Sequence, residues 1–217
     1  VSDGHDPKFD WIIKVDRRSR FRLVIQSSTF LDNPRSTFHN PKVIHRSPRT
    51  RFVEPDQIDH HISDMTLTAG ADVTLAMIQR AINPHRQWLP LDGNPNEPLA
   101  GLAVKMSTGP LRLGYGAWRD LTLGLQFEDG SGKLITAGGR VMKNVAGYDL
   151  TKLFVGSHGQ FGKLVSITFR TYELPDFVLH TSLPIEFPIS SVLHTDLKPS
   201  WAIRESNSIR IGFMGGE

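Results

Sequence analysis

The stretch from Gly138 to Gly162, GGRVMKNVAGYDLTKLFVGSHGQFG, constrains this chain more than any other part of it. Gly156, Gly159 and Gly162 recur there at every third position, in a setting otherwise mostly apolar or small. Glycine has no Cβ and reaches left-handed backbone conformations at little cost, so the pattern suits a chain bending closely around something. Spacing alone leaves two readings open: a glycine-rich connection between a helix and a strand, or a cradle for a ligand.

Composition narrows the class. With 217 residues, 39% of them hydrophobic and 22% charged, the chain can build one large domain or two small ones around an ordinary core. It has no cysteine. That excludes disulfides, thiolate metal sites, cysteine nucleophiles and cysteinyl cofactor links, and it fits a cytoplasmic location. No apolar run reaches the length of a membrane span, and the first residues lack the apolar region of a signal peptide. The net charge of +3 is concentrated early, in a basic run from Lys14 to Arg22 interrupted by Asp16. Such a run could touch nucleic acid, but no recognition motif accompanies it, and a solvated face is the plainer reading.

Periodicity predicts a strand at 21–26, loop or extended arm over 27–51, and a strand at 65–69 turned by Gly70. A helix is expected from Val73 to about Ile82, capped by Asp72, burying Leu75, Ile78 and Ile82 and ended by Asn83-Pro84. Residues 90–117 read as a long, proline- and glycine-rich loop, and loops of that length are usually functional. A hairpin over 121–136 turns at Asp129-Gly130. A short helix at 150–155 and a strand at 164–172 follow, and Pro175 marks a boundary before strands at 177–183 and 208–213.

Common catalytic signatures are missing. No G-x-G-x-x-G follows a strand, no G-x-S-x-G elbow occurs, and Gly130-Ser-Gly-Lys133 lacks the rest of a phosphate loop. His60-His61 lacks the spaced carboxylate or cysteine set of a metal site, so no metal is expected. Two glycine-rich segments remain, 98–120 and 138–162, with small hydroxyl residues Ser107, Thr108 and Ser157 among them. Neither offers a carboxylate pair or a serine–histidine set. That inventory suits main-chain binding of a polyanionic, planar cofactor better than acid–base chemistry by side chains.

Residues 64–175 resemble the FAD-binding domain of the vanillyl-alcohol oxidase / p-cresol methylhydroxylase superfamily, and within it the FAD-binding subunit of bacterial glycolate oxidase. The residues that carry the resemblance are Gln87-Trp-Leu-Pro-Leu-Asp92, Ser107-Thr-Gly-Pro110, Leu113-Gly-Tyr-Gly116, Arg119-Asp120, Gly139-Arg-Val-Met-Lys-Asn-Val-Ala-Gly-Tyr-Asp149 and the glycines at 156, 159 and 162. It implies an α+β fold, with FAD lying between two α+β subdomains and a cap domain beyond them. Carried over by position, Leu99, Ala100, Gly101, Ser107, Thr108 and Gly109 pass along the pyrophosphate and flavin. Gly156, Ser157, Gly159, Gly162 and Leu164 contact flavin and adenosine. Gly114, Tyr115, Arg119 and Asn144 are further cofactor candidates, while Tyr148 matches a polar motif position that packing alone can explain.

The departures are as informative. The family's first subdomain opens with a P-x-G-G-G-T loop around the pyrophosphate, yet residues 1–62 hold a single glycine, Gly4. The nearest substitute is Gln26-Ser-Ser-Thr29. The family's threonine–isoleucine–glycine–glycine run is here Pro98-Leu-Ala-Gly101. Losing three or four charge-assisted backbone bonds, each worth roughly 1.5–3 kcal/mol, is expected to leave FAD weakly held or lost. The expected division is a divergent or incomplete subdomain over 1–62, an FAD-binding subdomain over 63–175 and the start of a cap-like unit over 176–217.

Two functions follow as expectations. One is a truncated or divergent FAD-binding subunit of a glycolate-oxidase-like 2-hydroxy-acid oxidoreductase, working with other subunits of such a complex. The alternative is a non-catalytic degenerate paralogue acting as a partner-binding subunit. No catalytic base is identifiable, and His158 reads as an exposed loop histidine.

Overall fold

A computed structural model describes the backbone of residues 42–44, and residues 54–139, 149–193 and 198–215 in full. The strand expected at 21–26, the substitute loop at 26–29, and Lys143, Asn144 and Tyr148 lie outside the described residues.

Six strands form the main sheet: β1 (Lys42–Ile44), β2 (Gln57–His61), β3 (Thr66–Gly70), β5 (Thr122–Glu128), β6 (Leu134–Gly138) and β7 (Lys163–Arg170), in the order β1-β2-β3-β7-β5-β6. β1 runs parallel to β2, and every other pairing is antiparallel. β1 falls inside the stretch expected to be loop or arm. β2, from the expected first division, pairs with β3 of the second.

Alternation sorts the two faces of the sheet. Leu67, Ala69, Leu125, Phe127, Ile167 and Phe169 turn to the helices and are buried. The opposite face carries hydroxyls and amides in cross-strand bonds. Thr68 and Thr168 share a hydrogen bond of 2.9 Å, and Ser166 donates to Gln126 at 3.2 Å. Buried polar groups are tolerated here because they satisfy one another.

The helices cover the apolar face. α1 (Leu75–Ile82) buries Leu75, Ile78 and Ile82, as periodicity requires. Its N-cap is Thr74, whose hydroxyl accepts from the Met77 amide at 3.3 Å, not Asp72. The helix starts later than expected because Thr74 remains extended, in an isolated bridge with Pro98. A single 3-10 turn over Asn83–His85 follows, then β4 (Gln87–Trp88).

Residues 90–117 are not the structureless loop their composition suggests. They contain α2 (Leu99–Lys105) and α3 (Arg112–Tyr115). Pro98 caps α2 with no side-chain acceptor. Instead, the Leu99 and Ala100 amides donate to the Val73 and Ala71 carbonyls, at 2.8 and 3.0 Å. A tertiary partner replaces the local cap, and no sequence signal announces it. α4 (Trp118–Leu121) then buries Trp118 and Leu121.

The hairpin forms as expected. The Asp129 carboxylate accepts from the Ser131 and Lys133 amides, at 2.8 and 3.1 Å. α5 (Leu150–Phe154), capped by Asp149, leads into β7, and β8 (Tyr172–Glu173) pairs back with β4.

Beyond Pro175 a second, three-stranded antiparallel sheet forms from β9 (Phe177–Pro184), β10 (Trp201–Arg204) and β11 (Ser208–Gly215), with the short helix α6 (Ser190–Leu193) after β9. Gly212 in β11 has no room for a side chain because the Trp201 ring lies on it. This sheet meets the first unit at α3, where the Gly114 amide donates to the Ser200 carbonyl at 3.0 Å.

Candidate functional site

The two glycine-rich segments, some fifty residues apart in sequence, meet at the C-terminal end of α2. The meeting follows from backbone hydrogen bonding. α2 ends at Met106, which takes a left-handed φ of +51°. α5 ends at Val155, and Gly156 turns the chain at φ +81°. The Gly156 amide then donates to the Ala103 carbonyl and the His158 amide to the Val104 carbonyl, both at 2.9 Å. Both α2 acceptors lie in its last turn, where carbonyls lack the usual amide four residues on, and the Ala103 carbonyl also accepts the Met106 amide at 3.2 Å. The arc 155–162 is thus hung on the end of α2.

Glycine is required at 156 for a second reason. A Cβ there would come within 3.2 Å of Met106 Cβ and 3.3 Å of the Arg119 guanidinium. Arg119 reaches from α4 and donates both Nε and Nη2 to the Val155 carbonyl, at 3.0 and 2.9 Å. α2, α4 and the arc therefore converge on one corner.

Ser157 sits in that corner, 8% exposed, and its hydroxyl has no hydrogen-bond partner among the described residues. A buried hydroxyl without a partner costs about 1–3 kcal/mol, so its position calls for a reason. Gly159, next but one, turns at φ +80° with open space where a Cβ would stand, and His158 beside it is exposed at φ +54°. Ser107 and Thr108 follow Met106 directly. Ser107 is half-buried, its amide bonded to the Leu102 carbonyl, and Thr108 is exposed. The corner thus offers a hydroxyl and a stretch of close-approach backbone to one ligand.

The remaining candidates take other places. The Leu99 and Ala100 amides are bonded to Val73 and Ala71, and Gly101 donates to the Pro98 carbonyl at 3.0 Å. α2 therefore presents no free N-terminal amides at these positions. Gly109 packs on the Asp92 carboxyl, 2.7 Å from where a Cβ would stand. Gly114 packs on the Ser200 backbone, and Gly162 lies so close to the Glu128 carbonyl that no side chain fits. Leu164 points into the core at 2% exposure. Tyr115 stacks edge-on against Trp88 and Tyr172, with centroids 5.2 and 5.3 Å away, and its hydroxyl faces the Met214 sulfur at 3.9 Å. Burial raises its phenol above the ordinary value. Asn144 lies outside the described residues.

One residue that sequence reasoning did not single out shapes the corner's flank. Asp92 accepts the Leu111 amide at 2.9 Å, with the Arg112 and Gly109 amides also bonded to it. Burial outweighs those bonds and raises its carboxyl from 3.8 to about 6. In the sequence it closes the run Gln87–Asp92 that carries the family resemblance, ahead of Gly93, with nothing there to mark it as buried. His60, weighed earlier as a ligand, instead bonds the Gln87 side chain at 2.9 Å.

No protein-family model matches the chain. Among curated proteins it is similar to glycolate oxidase subunit GlcE of Escherichia coli, 30% identical over 168 residues, which span 74% of this chain and 48% of that protein. Glycolate oxidase subunit GlcD of Bacillus subtilis is 35% identical over 122 residues, spanning 55% of this chain and 26% of that one. A mitochondrial D-lactate dehydrogenase of Arabidopsis thaliana is 29% identical over 115 residues, 53% of this chain and 20% of that one. The chain thus spans about half the length of the first of these relatives and about a quarter or a fifth of the others. Among solved structures, alkyldihydroxyacetonephosphate synthase shares the fold at a TM-score of 0.58 and 16% identity, covering 72% of this chain and 36% of that one. The largely antiparallel sheet backed by helices, the joined glycine segments and these relatives lead to one conclusion: the chain belongs to the vanillyl-alcohol oxidase / p-cresol methylhydroxylase superfamily of FAD-binding proteins, among the relatives of glycolate oxidase subunits.

Proposed function

We propose that this chain is the FAD-binding part of a glycolate-oxidase-like 2-hydroxy-acid oxidoreductase, working with other subunits of such a complex. The observation that carries the reading is the buried Ser157 hydroxyl, without a partner among the described residues, at the corner where the two glycine-rich segments meet. A ligand with hydrogen-bonding edges would satisfy it, and the left-handed turns at Gly156 and Gly159 would let backbone approach closely. FAD, when bound, supplies the two-electron oxidation chemistry that a 2-hydroxy acid requires.

The chain's own contribution is binding and orientation. Ser157 would donate to or accept from the cofactor, with Ser107 and Thr108 on the adjoining turn. Residues 63–175 form the cofactor-holding part in this reading and 176–217 a cap-like unit. No helix among the described residues is long and apolar enough to cross a membrane. A cytoplasmic location is part of the proposal and rests on the cysteine-free composition.

A second reading has a specific observation in its favour. The Leu99 and Ala100 amides, expected along the pyrophosphate, are already bonded to the Val73 and Ala71 carbonyls, respectively. A degenerate paralogue that keeps the fold and serves as a partner-binding subunit would look like this. Titration of the purified full-length protein with FAD, followed by flavin fluorescence, separates the two. Saturable binding that Ser157→Ala weakens about five- to tenfold, the effect of one lost hydrogen bond, supports the first reading. No uptake at millimolar FAD supports the second.

A further inference from the structure

We propose that Arg119 is a positioning residue for the cofactor corner, acting on bound FAD through Ser157 and not by touching the cofactor. The inference rests on the flavin-binding reading above. Arg119 was expected to contact the cofactor, but its guanidinium is aimed at the protein. Nε and Nη2 converge on the single carbonyl of Val155, at 3.0 and 2.9 Å. That carbonyl belongs to the peptide linking Val155 to Gly156, and Gly156 precedes Ser157. The fork therefore holds the peptide immediately before the one that carries Ser157.

Among the described residues, no other side chain is hydrogen-bonded to the backbone of this corner. Gly156 and His158 are tied to α2 through their amides. The Val155 carbonyl and the Gly156 N–H belong to one planar peptide, so the Gly156–Ala103 bond holds that unit at its N–H edge and leaves its rotation about the bond axis to be fixed at the carbonyl edge. A planar donor with two parallel N–H groups fixes it there, because both bonds are kept only in one orientation. A lysine ammonium is a point charge and imposes no such plane. Arg119 also closes the space beside Gly156, with Nη2 at 3.3 Å from where a Cβ would stand.

The test is a double-mutant cycle on the full-length protein, with Arg119→Gln, Arg119→Lys and Ser157→Ala alone and combined. The readouts are FAD affinity by fluorescence and amide hydrogen exchange in the absence of FAD. The proposal expects Arg119→Gln to weaken FAD about five- to tenfold in the wild-type background and less than about twofold when residue 157 is alanine. Arg119→Lys should recover little of the loss, and the Gly156 and His158 amides should exchange faster in the cofactor-free variants while Ile167 in β7 is unchanged. Full additivity with Ser157→Ala, or near-complete rescue by lysine, would mean a direct charge contact with the cofactor and overturn the proposal. Unchanged exchange at Gly156 and His158 would overturn it as well, even if affinity fell. Wild-type protein that takes up no FAD would overturn both this inference and the reading beneath it, and that control alone reports it.

Discussion

At the scale of single residues, Asp92 has the most direct consequence. Its carboxyl is raised from 3.8 to about 6 by burial under the turn 109–112, against the lowering effect of the Leu111, Arg112 and Gly109 amides. A carboxyl raised on folding takes up its proton more readily in the folded state than in the unfolded one. Its contribution to stability is therefore full below about pH 4 and is lost as pH rises through about 6. Asp92→Asn keeps the shape and removes the titration. The thermal midpoint of the variant, measured against wild type between pH 4 and pH 7, should gain steadily with pH and level off above 6. A difference that stays flat, or runs the other way, would show that the turn does not bury the group. The sequence disclosed an aspartate in a proline–glycine setting, but the burial that shifts it comes from the turn at 109–112, nineteen residues on.

At the scale of elements, the contrast between α1 and α2 shows which helices a sequence announces. α1 has three buried residues at helical spacing and a proline just past its end, so its existence and its face were legible. Its first residue was not. Asp72 and Thr74 are both good caps, and the choice fell to Thr74 because the bridge to Pro98 keeps that residue extended. Thr74→Ala should therefore cost about 1 kcal/mol of unfolding free energy, while Asp72→Ala should stay within about 0.5 kcal/mol. Chemical denaturation of the two variants decides the matter, and equal losses would return the cap to Asp72. α2 was hidden because its cap lies in another segment. Its first two amides find Ala71 and Val73, and its sequence, with Pro98 before it and Gly101 within, reads as loop. The candidate site was legible to a similar degree. Residue types pointed to Gly156, Ser157 and Ser107, but the positions at 109, 114 and 162 are glycine because other parts of the protein lie against them.

For the molecule as a whole, two sheets are joined at α3. Gly114 is where the join is tightest: a Cβ there would stand 2.7 Å from Ser200 Cα and 2.9 Å from its carbonyl oxygen. Elsewhere along the join, Arg86 of the first unit pairs with Asp176 at the start of the second. The exposed ion pair adds little; close backbone packing carries the joint. In an isolated helix, replacing glycine by alanine stabilises by about 0.5–1 kcal/mol. Here Gly114→Ala should do the reverse, costing roughly 1–3 kcal/mol through overpacking, and should speed proteolysis between Glu173 and Phe177. A raised thermal midpoint would show that the two sheets are not packed at this point.

The arc from Gly156 to Gly162 has both feet set and its crown open. Gly156 is wedged between Met106 and Arg119, Gly162 lies against the Glu128 carbonyl, and Gly159 stands over empty space. Changes in length are therefore unequal along it. An extra residue beside Gly159 would only heighten the crown, whereas one beside either foot would shift the whole following strand by a residue. A one-residue shift in β7 would turn Ile167 and Phe169 out of the core and bring Ser166 and Thr168 in. Relatives of this protein can thus differ in how far the arc projects, and with it how much of a ligand it covers, without disturbing the sheet on which it stands.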